Sequence, residues 1–169
     1  NTSKGFVACN ILSISEDGNS IETAIMFESG GNKKKRSKFY FESYSNNKSI
    51  SSIIYGFDRD IYLLYGQKPN FWISKDRNTL ILSQYMLVSG FQSKKHDLFQ
   101  FKLSGEQYQK VTDLSVSSEV GRDKFPVWSP DRSMLFFSSE GHDTYGNYDL
   151  FMANVTGGSL SQLGSPINL

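Results

Sequence analysis

Apolar residues fall in short runs broken by polar and turn-forming residues, with no sustained helical period. The clearest run is Phe125-Pro126-Val127-Trp128-Ser129-Pro130-Asp131-Arg132-Ser133-Met134-Leu135-Phe136-Phe137-Ser138-Ser139. It predicts strand, tight turn, strand. Pro130 presets φ for a turn and Asp131 can bond its own backbone, while the flanks carry the aromatic and aliphatic residues that buried strands require. A weaker copy spans Phe71-Trp72-Ile73-Ser74-Lys75-Asp76-Arg77-Asn78-Thr79-Leu80-Ile81-Leu82-Ser83, and a fainter one Ile14-Ser15-Glu16-Asp17-Gly18-Asn19-Ser20-Ile21. The shared core is Ser-x-Asp-(Arg or Gly)-x-x-(Leu or Ile). Asp17, Asp76 and Asp131 are read as structural turn residues at equivalent corners, spaced 59 and 55 positions apart.

A second landmark keeps the register. Tyr148-Asp149-Leu150-Phe151, Asp97-Leu98-Phe99 and Lys38-Phe39-Tyr40-Phe41 each read as a further strand at a similar distance beyond the turn. Each copy resolves into four short strands: 6–15, 20–28, 38–44 and 48–54; 70–74, 79–86, 97–103 and 108–114; 124–128, 134–139, 148–154 and 159–163. Ser104-Gly105 and Gly157-Gly158 punctuate the later hairpins. Four antiparallel strands per repeat of this length mark a propeller blade. The expectation is therefore an all-β fold of three four-stranded antiparallel blades: about 5–55, 69–115 and 120–165, with a connector at 56–68. Segment 55–69 is the least regular, and Ile61-Tyr62-Leu63-Leu64-Tyr65 reads as an extra strand or an insertion. A propeller ring closes with roughly 4–8 blades. Three leave open flanks that invite pairing, so missing blades or other chains are expected to complete the ring.

Composition agrees with strands: aromatics make up 14% of the chain, with 13 Phe, 9 Tyr and 2 Trp. No stretch approaches the roughly 20 apolar residues of a transmembrane helix, so a helical span is not expected. The single cysteine, Cys9, excludes an internal disulfide. Phe6-Val7-Ala8-Cys9 faintly resembles a lipoprotein cleavage site, but the charged and apolar segments that precede one are missing. Beginning at Asn1, the sequence reads as a processed product or a piece of a longer chain.

The segment 125–132, with Leu135-Phe136-Phe137-Ser138-Ser139 and Tyr148-Asp149-Leu150-Phe151, resembles the Pro-Asp-type, WD40-like unit of TolB-like propeller proteins. There the turn usually reads Ser-Pro-Asp-Gly. Here Arg132 replaces the glycine, and Lys75 and Glu16 stand where the earlier copies would carry proline. The ending Leu163-Gly164-Ser165-Pro166-Ile167-Asn168-Leu169 resembles the connector into a further blade in bacterial cell-envelope versions, which sit beside OmpA-like and helical-repeat modules. Some belong to secretion and gliding machinery. The resemblance implies a periplasmic or outer-membrane-associated scaffold whose partners are other envelope proteins. The alternative it implies is the accessory propeller of a peptidase or glycan-processing enzyme.

The residues argue against catalysis. No Gly-x-Ser-x-Gly elbow is present, and His96 and His142 both fall in predicted loops. One Cys and two distant His do not make a zinc set. No phosphate-cradling loop occurs, so no cofactor is expected. The loop 142–149 alternates oxygen-bearing residues, yet Asp149 reads as a structural residue opening a strand rather than as a calcium ligand. Trp72 and Trp128 read as core. Net charge is +1 and names no partner. Local charge says more. The loops predicted between second and third strands, 30–37, 89–95 and 140–147, gather Lys33, Lys34, Lys35, Arg36, Lys94, Lys95, His96 and His142 onto one face. That face suits an acidic protein or a phosphorylated glycolipid. The alternative is that these lysines keep exposed loops soluble. Nucleic acid is not an expected partner, because Phe39, Tyr40 and Phe41 alternate as a strand and read mostly as core.

Overall fold

The computed structural model describes residues 5–31, 34–46, 48–57, 70–88, 91–113, 121–155 and 163–169. These residues are all-β, with no helix among them. In chain order the strands are β1 (Gly5–Ile14), β2 (Ser20–Gly31), β3 (Lys34–Ser45), β4 (Lys48–Phe57), β5 (Asn70–Ile73), β6 (Thr79–Val88), β7 (Phe91–Ser104), β8 (Gln107–Asp113), β9 (Asp123–Trp128), β10 (Met134–Ser139), β11 (Asp149–Asn154) and β12 (Ile167–Asn168).

One turn occurs three times. After β1, β5 and β9 the hydroxyls of Ser15, Ser74 and Ser129 donate to Oδ1 of Asp17, Asp76 and Asp131, at 2.5 Å in the first and 2.6 Å in the last. The same serine oxygens accept from the N–H of Ser20, Thr79 and Met134 at 2.9, 2.9 and 3.0 Å. Each aspartate also accepts the N–H two residues on, from Asn19, Asn78 or Ser133, at 3.0–3.1 Å. This is the local side-chain-to-backbone bonding by which Ser and Asp compete with regular structure and set turns. The fourth turn residue has φ of 69° at Gly18, 63° at Arg77 and 58° at Arg132. Glycine adopts that region without strain, and the two arginines carry it at a cost of roughly 1–2 kcal/mol each.

The turn is tied to the third strand of each repeat in the same way. The N–H groups of Asn46, Leu103 and Val155 donate to the carbonyls of Asn19, Asn78 and Ser133 at 2.9, 2.9 and 2.8 Å. Sequence-equivalent corners therefore share a tertiary bond as well as a local one.

β1–β4 and β5–β8 are two four-stranded meanders within one eight-stranded sheet of order β1-β2-β3-β4-β8-β7-β6-β5. The join is a short parallel pairing, Gly56↔Gln107 and Phe57↔Tyr108. A purely antiparallel arrangement of separate repeats was expected; the parallel join corrects it. Tyr108 explains the join: its fully buried ring meets Phe39, Tyr55 and Phe57 at centroid distances of 5.7, 6.1 and 5.9 Å. β9–β12 form a separate antiparallel sheet of order β12-β11-β10-β9. Its last described strand, β12, pairs at Phe151↔Asn168 and Met152↔Ile167, in a segment where no strand was expected. Of the expected strand 159–163, Leu163 bridges Val155, and 156–162, like the segment 58–69 with its Ile61–Tyr65 run, lie outside the described residues.

Two compact units result. The first is built on β1–β4 with the Ser74 turn and the hairpin around Gly105. Its core is aromatic, centred on Phe39, Phe41 and Tyr108, with the Arg77 guanidinium 5.1 Å from the Phe41 ring centroid and ion-paired to Glu22. The Tyr108 hydroxyl donates to the Arg77 carbonyl at 2.7 Å, the partner a buried phenol needs. Burial pushes its pKa well above the usual phenol range. The second unit holds the remainder of β5–β8 and the β9–β12 sheet. Its core joins Ile81, Leu98, Trp128, Leu135, Phe137 and Phe151, with Trp72 packed alongside and the two indoles 6.3 Å apart.

Candidate interaction surfaces

The β9–β12 sheet is apolar on both faces. Leu135, Phe137, Phe151 and Ala153 point into the core, alternating along β10 and β11 as strand geometry demands. The residues between them face the other way. Val127↔Phe136, Phe136↔Met152 and Met152↔Ile167 are register partners, so four apolar side chains form one row across all four strands. Leu150 and Leu169 extend the patch, joined by the Leu169 N–H to Leu150 carbonyl bond of 3.0 Å. Val127, Leu150 and Ile167 are 50%, 51% and 49% exposed. Phe125 adds to it: its φ of 52°, at a register shift between Phe136 and Ser138, turns the ring outward. Strands 124–128 and 134–139 were expected to be buried; one face of them is not. The overlooked signal is Leu135-Phe136-Phe137, because consecutive apolar residues in a strand demand a cover on each side.

The β10–β11 connection is tightly bonded. Asp149 Oδ2 accepts the Tyr145 N–H at 2.7 Å and the Asn168 amide at 3.2 Å, and that amide also donates to the Asp143 carbonyl at 2.8 Å. Asp149 thus closes its loop at the start of β11. Arg122 and Glu140 pair at 2.8 Å across the β9–β10 end. Beside them Gly121 approaches the backbone of Gly141 so closely that a side chain at Gly121 has no room. His142 lies in the β10–β11 connection, as the loop assignment for 140–147 expected. Its half-buried ring lies 5.9 Å from Phe137 and 5.2 Å from Phe151, a packing position beside the core.

Lys34, Lys35, Arg36, Lys94, Lys95 and His96 lie on strands, which corrects the loop assignment for 30–31, 34–37 and 91–95. β2 and β3 stay paired through Ser29↔Arg36, Gly30↔Lys35 and Gly31↔Lys34. Lys33 lies outside the described residues. Lys94, Lys95 and His96 belong to β7. The lysine runs mislead because ladder bonds belong to the backbone and continue whatever the polarity of the side chains. Lys34, Lys35 and Arg36 sit at the end of the β2–β3 pair opposite the Ser15 corner.

The corner aspartates are already committed to their turns. The Ser15 hydroxyl first, and then the Asn19 N–H and amide, hold the Asp17 carboxyl down at about 2; the Ser129 hydroxyl and Ser133 lower that of Asp131 in the same way. Cys9 is exposed on β1, paired with Ile25, and partial burial raises its thiol pKa. Among the described residues, no three His, Cys, Asp or Glu side chains gather to hold a metal ion, and no helix is long and apolar enough to cross a membrane. Comparison of the chain with known proteins finds no matching family model, no matching curated protein and no matching solved structure.

Proposed function

We propose that the chain is a non-catalytic interaction module made of consecutive propeller blades, serving as a scaffold in a bacterial envelope complex, periplasmic or outer-membrane-associated. The observation that carries the reading is the recurrence of one Ser-x-Asp corner, with the same hydrogen bonds, in three successive four-stranded meanders. Repeat folds of this kind offer broad surfaces for partners. The envelope setting rests on the likeness of 125–132 to the TolB-like unit. Binding is favoured over catalysis because the sequence carries no nucleophile elbow and its titratable corner residues are spent on turns.

The basic ends of the β2–β3 and β6–β7 hairpins are the proposed docking groups for an acidic protein or a phosphorylated glycolipid. The test uses vesicles containing a phosphorylated glycolipid against zwitterionic vesicles. A variant combining Lys34→Glu, Lys35→Glu, Arg36→Glu, Lys94→Glu and Lys95→Glu should lose binding, and the salt dependence of the wild type should disappear with it. Equal binding by wild type and variant removes these groups from the docking site.

A further inference from the structure

We propose that β3 carries a linear docking stripe, Lys34, Arg36 and Lys38, for an extended peptide segment of a partner protein that bears Asp or Glu at alternate positions. The proposal rests on the reading above that the basic end of the β2–β3 hairpin docks partners, and it names the partner's chemistry and spacing.

The stripe follows from an unbroken ladder. β2 and β3 stay paired from Ser20↔Ser45 to Gly31↔Lys34 with no register shift. Alternate positions of a strand share one face of the sheet. Phe39 and Phe41 are buried, at 0% and 1% exposure, which fixes the core face. Lys38 and Tyr40 take the other face, and the same alternation places Arg36 and Lys34 on it. Lys35 falls on the face of Phe39. The positions paired with Lys34, Arg36 and Lys38 are Gly31, Ser29 and Phe27, so no acidic residue stands across from any of them on β2. Glu28 pairs with Ser37 and so belongs to the face of Lys35. Along β3 the first acid on the stripe's own face is Glu42, and its carboxylate already accepts the Tyr44 hydroxyl.

The shape of this charge selects the ligand. Neutral positions on β2 keep the cations in one line along β3 rather than spreading them over a patch. Same-face positions of a strand lie about 6.8 Å apart. An extended peptide repeats its own alternate residues at that spacing, so three acids at alternate places meet three cations together. Acids at adjacent places would send every second one to the wrong side. A bilayer offers phosphates over a plane with no preferred line, so a linear stripe favours a peptide over a lipid surface. Beyond Lys38 the same face holds Tyr40, whose register partners are Ile25 and Ile54 and whose ring meets Phe27 edge-on at 6.3 Å. The peptide residue two places past the acids is accordingly apolar.

Fluorescence anisotropy with the intact chain tests the proposal, using two labelled peptides of one composition. Both contain three glutamates, four serines and a terminal leucine. In the first the glutamates alternate with serines, and in the second they are adjacent. The alternating peptide should bind about tenfold tighter or more, and added salt should weaken it. The variant Lys34→Glu, Arg36→Glu, Lys38→Glu should lose that peptide and gain an alternating-lysine peptide, a gain that requires a folded stripe. If its circular dichroism shows unfolding, Lys34→Gln with Arg36→Gln reads the same loss. Arg36→Glu alone should cost more than Lys35→Glu alone, because the two positions lie on opposite faces. Lys48→Glu, at the corner end of the same meander, should change affinity by less than about twofold. Equal affinity for the two glutamate peptides, or equal cost at Arg36 and Lys35, overturns the proposal. Vesicles of a phosphorylated glycolipid separate the failures. A chain that binds the vesicles but neither peptide refutes the peptide stripe and leaves the docking reading standing, whereas a chain that binds neither vesicles nor peptides refutes both.

Discussion

Replacing Gly121 by alanine puts the close approach of two chain segments to a quantitative test. A β-carbon there would lie 2.2 Å from both Cα and N of Gly141 and 2.8 Å from the carbonyl carbon of Glu140. All three are backbone atoms, so no rotamer change relieves the clash. Carbon contacts relax only near 3.5–4.0 Å, and one segment must therefore move by more than about 1 Å. That movement strains the Glu140 N–H to Arg122 carbonyl bond, already 3.3 Å, and the Arg122–Glu140 ion pair beside it. Overpacking costs roughly 1–3 kcal/mol in general, and an all-backbone clash belongs at the upper end, about 3 kcal/mol. Against a typical domain stability of roughly 5–15 kcal/mol this is a large fraction. It corresponds to a fall in Tm of roughly 6–12 °C for a chain of this size. Urea unfolding followed by the fluorescence of Trp72 and Trp128 reads the change directly. Gly146→Ala is the control: nothing lies within 4 Å of its β-carbon position, so its effect should stay within about 0.5 kcal/mol. If Gly121→Ala costs less than about 1 kcal/mol, or no more than the control, the approach of Gly121 to Gly141 is not as close as described.

The turns yield a prediction of opposite signs: Arg132→Gly should raise stability by up to about 1 kcal/mol, while Gly18→Ala should lower it by a similar amount, since both sites have positive φ. Matching signs in thermal melts would refute the conformational argument. Phe137→Ala removes a fully buried ring stacked 5.9 Å from Phe151 and should cost about 3–5 kcal/mol, whereas Tyr145→Ala, at a side chain almost wholly in solvent, should cost under about 0.5 kcal/mol by the same assay. The Asp17 carboxyl is depressed from its usual 3.8 to about 2 in the folded chain. Its contribution is therefore complete above the unfolded value and is lost as pH falls toward 2. The wild-type Tm should fall more steeply between pH 4 and 2 than that of Asp17→Asn, and parallel curves would exclude the turn as a source of acid sensitivity.

How far the sequence could be read depended on how local the determining interactions were. Each Ser-x-Asp corner closes through bonds spanning no more than five residues, Ser15 to Ser20 for example. The turn positions and the strands flanking them could accordingly be placed from residue types alone. The ends of the hairpins could not. Lys34, Lys35 and Arg36 look like a loop by polarity, but backbone pairing carries β3 through them. β12 escaped notice because its two ladder pairs to Phe151 and Met152 depend on where the chain returns, which no local pattern encodes.

The candidate surfaces divide in the same way. The repeated positions occupied by Trp72, Ile81, Leu98, Val127, Phe136 and Leu150 were visible as a pattern of apolar residues. Which of them are covered was decided only in the fold, where the middle set meets another sheet and the last set meets solvent. His142 likewise reads as a cation in a loop, and becomes a ring between two phenylalanines only once β10 and β11 bring Phe137 and Phe151 side by side. By itself the sequence determined the three corners, because a turn is specified by its own few residues. The tertiary structure alone decided the parallel join at Tyr108 and the bare face of the last sheet, because burial depends on neighbours that are distant along the chain.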